Sequence, residues 1–194
     1  KDEARGKLGL PRDKKILLYT GHLFDWKGVD TLFDAHEFVG PDKMIYFVGG
    51  TDEDIHQFKV KSEKLKVKNV VIVGRRSHQE IPLWLSAADV LVLPNSARYT
   101  VSKYETSPVK LFEYMASGTP IAASDLPSIR DILDENMAFF FRPDDPQSLA
   151  GTIHYILDHP QEGMARSQKA RVKAKDYSWE RRTESIISFI KPRL

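Results

Sequence analysis

Two glutamates and a nearby helix opening carry the clearest chemistry in this sequence. Glu105 and Glu113 lie eight residues apart in ETSPVKLFEYMASGTP, which runs from Glu105 to Pro120. Ser107 followed by Pro108 is a serine cap with a proline at the first helical position. That opening puts Glu105 at the helix mouth and Glu113 about two turns inside. The first amides of a helix have no partner within it and can hold phosphate oxygens. A carboxylate only accepts hydrogen bonds, so it suits the vicinal diol of a ribose or a hexose. The combination points to a ligand rich in hydroxyls and phosphate. As an isolated pair, the two glutamates would fit a loop charge and a solvent-facing helix residue better, since carboxylates are mostly exposed. Their neighbours change that balance: Leu111, Phe112 and Met115 read as core, and Gly118–Pro120 reads as a helix stop leading into a strand.

A second anion site is offered by GHLFDWKG, Gly21 to Gly28, between an apolar run and a helical pattern. Gly21 and Gly28 permit close backbone approach. Lys27 stands just before the helix start, where a cation and free amides together suit a diphosphate. A plain turn with a solvated lysine has the same spacing, and the spacing alone does not separate the two. The loop matches neither G-x-G-x-x-G nor the P-loop, which removes the usual support for a dinucleotide or an ATPase. The six histidines show no H-x-x-x-H or H-E-x-x-H spacing, so no metal site is expected.

These groups need a scaffold that gathers loops at one edge. Lys15–Thr20, Met44–Val48, Val70–Val73 and Val90–Leu93 are apolar on consecutive residues, as in strands covered on both faces. Pro120–Ala123 and Ala138–Phe141 are weaker strand candidates. Helices are expected between them. Val29, Leu32, Phe33 and His36 share one face, and Ser77 with Glu80 forms a capping box ahead of Ile81, Trp84 and Leu85. Asp145 and Pro146 open a helix carrying Leu149, Ile153 and Ile156. Ser178 caps a last one whose apolar face is Trp179, Ile186, Ile187 and Ile190. The expectation is an α/β fold: a Rossmann-like, doubly wound parallel sheet of about six strands, with helices on both faces and a helical C-terminal tail. Such sheets bind ligands at the carboxyl ends of their strands. The loops of interest are therefore 21–28, 49–54, 74–77 and 94–107.

Composition sets the outer bounds. With 194 residues, 41% of them apolar, one compact domain has material for a core, and disorder is excluded. A net charge of +2 gives no reason to expect nucleic acid. The absence of cysteine rules out disulfides and thiolate metal sites and fits a cytoplasmic location. No apolar stretch approaches the ~20 residues that span a bilayer. The first residue is Lys1, so the sequence is expected to be part of something longer or to follow a leader.

Taken together, these segments resemble family 4 glycosyltransferases, the retaining class with the two-domain GT-B architecture. SPVKLFEYMASGTPIAASDLPSIRDIL, Ser107 to Leu133, is similar to the family's E-x7-E region, and GHLFDWKG to its donor-diphosphate loop. GRRSHQEIPLWLSAADVLVLPN, Gly74 to Asn95, resembles the base-binding loop, helix and following strand. YSWERR, Tyr177 to Arg182, resembles the start of the C-terminal helix. The match runs from about Leu8 to the end.

The resemblance implies that Lys27 pairs with the donor's diphosphate, with Gly21 beside it. The family commonly has arginine after that glycine. Here it is His22, whose charge depends on a pKa near 6.5. Glu105 would contact hydroxyls of the transferred sugar, and Glu113 the ribose. Backbone amides around Ser107, Pro108 and Val109 would hold phosphate, and Arg75 would lie along the base. Lys110 has two equal readings, facing phosphate or lying on the surface. Lys27 and Glu105 are the catalytic candidates. The implied donor is a nucleoside-diphosphate sugar, UDP- or GDP-linked, with no metal or other cofactor. The implied acceptor is a glycan or a lipid-linked sugar, as in polysaccharide or glycolipid biosynthesis. It would be held by an N-terminal domain outside this sequence, without which transfer is expected to be poor. Residues 1–175 would form the donor-binding domain, and 176–194 a helix crossing toward the missing one. The basic tail, Arg166 to Arg193, has two readings: a solvated or domain-crossing helix, and peripheral contact with anionic lipid at the inner membrane face. Two other functions share the pattern, a non-catalytic nucleotide-sugar-binding or partner-docking module and a sugar-nucleotide epimerase. A phosphorylase of this architecture would need a pyridoxal lysine segment, and none is recognisable.

Overall fold

A computed structural model describes residues 1–106 and 109–191. Six strands form one sheet: β1 (Lys15–Thr20), β2 (Lys43–Val48), β3 (Val70–Gly74), β4 (Val90–Leu93), β5 (Ile121–Ser124) and β6 (Phe139–Phe141). Their spatial order is β3-β2-β1-β4-β5-β6, and every pairing is parallel. The doubly wound sheet is thus as expected, with each strand within about a residue of its anticipated bounds.

The apolar runs are continuous because alternate residues serve two cores. Leu17, Tyr19, Ile45, Phe47, Val90 and Val92 point to one face and pack with Leu32, Phe33, Phe58 and Ile153. Ile16, Leu18, Tyr46, Val48, Leu91 and Leu93 point to the other and pack with Trp84, Leu111, Tyr114 and Met115. The first face is covered by α2 (Val29–Asp34), α3 (His36–Val39), α4 (Asp52–Lys64) and α8 (Pro146–Asp158). The second is covered by α5 (Ile81–Ala87), α6 (Val109–Ser117), α7 (Pro127–Arg130) and α9 (Pro160–Ala174).

The caps are partly as expected. Asp145 accepts the Ser148 amide at 2.9 Å, and Ser178 accepts that of Arg181 at 3.3 Å, opening α10 (Trp179–Ile190). The Ser77–Glu80 box is only half formed. Glu80 accepts both the Ser77 amide and its hydroxyl, so the hydroxyl donates to the carboxylate instead of accepting a helix amide. The complete box is elsewhere, Thr51 with Asp54 at the start of α4, a helix not anticipated from the sequence. The expected cap at Ser107 and Pro108 lies outside the described residues. The expected helix through His36 breaks at Ala35 into two short pieces. The apolar face of α10 exists but is uncovered: Trp179 is 78% exposed, and Ile186, Ile187 and Ile190 are also exposed.

The leading helix α1 (Asp2–Leu8) is a further element that sequence patterning did not mark. It is held by Arg5, which is buried and lies 2.5 Å from Asp89. The guanidinium also donates to the carbonyls of Ala87 and Lys14, and Asp89 accepts the Ile16 amide at 2.7 Å. Burial raises the Asp89 pKa, but the Ile16 amide, Lys1 and Arg5 together hold it below the usual carboxylate value. Arg5→Ala is expected to destabilise the chain by about 3 kcal/mol, because it strands a partly buried carboxylate. A lower urea midpoint with unchanged slope would show this.

Candidate functional site

The carboxyl edge of the sheet is built on glycines. β1, β2 and β3 run directly into Gly21, Gly49 and Gly74, and the Gly21 amide donates to Val48 while that of Gly49 donates to Gly74. Gly49 has φ 128°, and a Cβ there would lie 2.3 Å from the Gly21 carbonyl oxygen. Only glycine allows this close approach. Above the floor opens a cleft of about 440 Å³, lined by Gly21, His22, Gly49, Gly50, Thr51, Asp52, Arg75, Arg76 and Ile81. A second cleft of about 370 Å³ shares Ile81 and includes His78, Leu85 and Glu113.

Lys110 has an unusual position. It is only 8% exposed, and its Nζ is buried without a hydrogen-bond partner among the described residues. The ammonium lies 3.6 Å from the centre of the Tyr19 ring and would be 2.9 Å from a Cβ at Gly21. The surface reading of Lys110 is therefore wrong: helix α6 turns this side chain inward onto the end of β1. Burial pushes its pKa well below the ordinary lysine value, the charge of Lys27 pushes it further down, and Glu113 partly counters both. Lys27 closes the short 3₁₀ turn Asp25–Lys27, half-buried, with Nζ 3.7 Å from the Trp26 ring centre. Burial lowers its pKa to about 8. Tyr19 and Tyr114 fix the frame around them. Tyr19 donates to the His22 carbonyl at 2.6 Å, and the Tyr114 hydroxyl accepts the Thr20 amide at 2.8 Å.

Gly21, His22 and Arg75 thus line one cleft, and Glu113 lines its neighbour. Lys110 senses the charges of both Lys27 and Glu113. His22 is exposed and stacked on Phe24, with ring centres 4.9 Å apart. The Glu113 side chain is 28% exposed, with Oε1 3.7 Å from His78 Nδ1. Val109, the first described residue of α6, is exposed. Glu105 ends a π-helical turn, Val101–Glu105, and is exposed. Lys27 and Glu105 line neither cleft among the described residues. Ser107 and Pro108 lie outside the described residues. Sequence reasoning singled out the loops at 49–54 and 74–77 without assigning roles to Gly49, Thr51, Asp52, Arg76 or His78. The signal available was their place after β2 and β3.

A family model described as "Glycosyl transferases group 1" matches residues 1–175. The chain belongs to that family. Its fold is the C-terminal, donor-side domain type of GT-B glycosyltransferases, with the 3-2-1-4-5-6 sheet. A D-inositol 3-phosphate glycosyltransferase of Catenulispora acidiphila is 25% identical over 97% of this chain and 46% of its own length. The sucrose-phosphate synthase of Thermosynechococcus elongatus superposes with a TM-score of 0.85 at 26% identity, covering 99% of this chain and 48% of the synthase. Anabaena HepE, solved with UDP-glucose, superposes with a TM-score of 0.77 at 21% identity, over 90% of this chain and 47% of HepE. This group 1 chain spans about half the length of the relatives it matches. No helix among its described residues is long and apolar enough to cross a membrane.

An anion seated beside Lys27 draws on its protonated form. Since the folded pKa is about 8, affinity for pyrophosphate is expected to fall as pH rises through 8 and to be flat for this group below 7. Calorimetric titration at pH 6.5, 7.5, 8.5 and 9.5 checks this, with Lys27→Arg expected to make the decline shallower.

Proposed function

We propose that this chain binds a nucleoside-diphosphate sugar, UDP- or GDP-linked, at the carboxyl edge of its sheet. With an acceptor-binding N-terminal domain, it transfers the sugar with retention of configuration. The observation that carries this reading is the buried Lys110 ammonium, which has no hydrogen-bond partner among the described residues and lies over the Tyr19 ring at the end of β1. A buried ammonium without a hydrogen bond is costly unless an anion joins it. A diphosphate supplies that charge. In the reaction the ammonium groups of Lys27 and Lys110, with the first amides of α6, stabilise the charge developing on the leaving diphosphate.

The other groups follow from their places. Gly21 lets the diphosphate approach the backbone beside Lys110, and His22 adds a contact. Glu113, in the neighbouring cleft, accepts the ribose hydroxyls. Arg75 flanks the base, and Glu105 accepts hydroxyls of the transferred sugar. UDP-glucose in the related HepE supports a hexose donor. The lipid-glycosylating relative in Streptococcus pneumoniae, an alpha-monoglucosyldiacylglycerol synthase 27% identical over 78% of this chain, supports a glycan or lipid-linked acceptor. The segment from residue 176 onward, described through residue 191, crosses to the acceptor domain, with Trp179, Ile186, Ile187 and Ile190 covered there. The 194-residue chain by itself is expected to bind donor with little or no transfer.

A thermal-shift panel of UDP, GDP, ADP and their hexose conjugates tests the site. One nucleotide is expected to raise the melting temperature, since a ligand at a hundred times its Kd adds about 2.7 kcal/mol. Lys27→Ala or Glu113→Ala should abolish that rise. If no nucleotide shifts the wild type at saturation, the reading fails.

Lys110→Met is expected to act with opposite signs on stability and binding. It removes a buried ammonium without a hydrogen bond, which should stabilise the free chain by about 1–3 kcal/mol, and it removes the diphosphate's partner. A higher melting temperature combined with lost nucleotide response is the expected result. A lower one would show that the ammonium is satisfied in the fold.

A further inference from the structure

Between the Lys27 loop and the turn that carries Glu105 lies a buried polar cluster that the donor site does not explain. Pro94, Asn95 and Ser96 follow β4 and are all buried. Their backbone is pressed against the Lys27 loop. The Ser96 amide donates to the Trp26 carbonyl at 3.2 Å, and a Cβ on Gly28 would lie 1.9 Å from the Pro94 oxygen. The Asn95 side chain reaches the opposite way. Its Nδ2 faces Ser102 Oγ at 3.5 Å, and its Oδ1 is buried with no hydrogen-bond partner among the described residues.

Ser102 is fully buried within the π-helical turn Val101–Glu105. Its carbonyl accepts the Ser128 hydroxyl at 2.7 Å, so the turn is gripped from beneath at one residue by two side chains. π-Helical turns are rare and cluster at functional sites. A buried amide oxygen without a partner is costly in a purely structural role, because an apolar residue of similar size would pack there without that cost.

We propose that Asn95 is a positioning residue that joins the two halves of the donor site: its backbone abuts the Lys27 loop, and its amide, through Ser102, sets the turn that aims Glu105 at the transferred sugar. The inference rests on the reading of Glu105 as the sugar contact. The distance at Asn95 is long for a hydrogen bond. A small inward movement of Ser102 shortens it and strengthens the bond that Nδ2 donates to Ser102 Oγ. The turn thus has a closed setting in which the amide is better satisfied, and a hexose bridging Glu105 and the diphosphate favours it.

The test compares affinities of this chain for UDP and UDP-glucose, or for GDP and a GDP-hexose if that pair binds. The readout is the ratio of the two dissociation constants. In Glu105→Ala the relative affinity for the sugar conjugate is expected to fall about fivefold, the scale of one hydrogen bond. Asn95→Ala is expected to reproduce that fall with affinity for the bare diphosphate unchanged. The double variant should be no worse than Glu105→Ala, the mark of a shared interaction. Ser102→Ala, which leaves the amide in place, provides the same readout if Asn95→Ala fails to fold. Retention of the wild-type ratio in Asn95→Ala and Ser102→Ala, with loss in Glu105→Ala, overturns the proposal and leaves the Glu105 reading intact. Retention in Glu105→Ala overturns both. Equal loss of bare diphosphate and conjugate affinity in Asn95→Ala shows a structural residue and also overturns the proposal.

Discussion

The Lys110 ammonium is buried against the end of β1, with Lys27 half-buried in the loop that follows, and much of the local architecture holds these two side chains in place. Lys110 reaches the strand end over the Tyr19 ring, passing Gly21, where a side chain would collide with it. Lys27 is folded back over Trp26 by the short 3₁₀ turn. Each position is electrostatically unfavourable in isolation, which is why burial depresses both pKa values. The cost is tolerated because the surrounding core is well packed on both faces of the sheet, with Tyr114 tied to the Thr20 amide just beneath. A strained or destabilised site supported by a stable scaffold is a common trade between stability and function.

The parallel sheet makes such a site possible. When all six strands run the same way, the loops that follow them converge on one edge, and the helices that cover the faces must start there. Glycines at the ends of three adjacent strands bring that edge down to backbone level, so a ligand can reach main-chain amides. The opposite edge has a different task. There Arg5 and Asp89 tie the leading helix to the turn before β4 and to the start of β1, with the ion pair itself satisfied by carbonyl and amide partners. Chemistry and anchoring are thus divided between the two edges.

The C-terminal portion differs from the rest in how it is held. Helix α9 is packed through Ser167 and Ala170, and Tyr177 lies against Phe112 at 4.8 Å. Helix α10 beyond it buries none of its residues, although its sequence has an apolar stripe. An amphipathic helix without a covered face is incomplete as a unit of folding.

The sequence alone determined the strand–helix alternation and the doubly wound class, and it directed attention to the loops at one edge of the sheet. Those depend on local periodicity and on caps such as Asp145 and Ser178, and neighbouring residues encode both. The family's motif segments around Lys27 and Glu113 were also legible, because they are short runs of particular residue types at the starts of helices. What only tertiary structure decided was direction and environment. Whether Lys110 faced solvent or the strand end depended on the rotation of α6 against β1, and the two are more than ninety residues apart in the chain. The burial of Asn95 and its reach to Ser102 depended on how the loop after β4 lies between two other loops. α1 was missed because its anchor is a single long-range ion pair, Arg5 with Asp89, that no local pattern records. Side-chain burial and charge coupling arise from packing between distant segments, so they are fixed only when those segments meet.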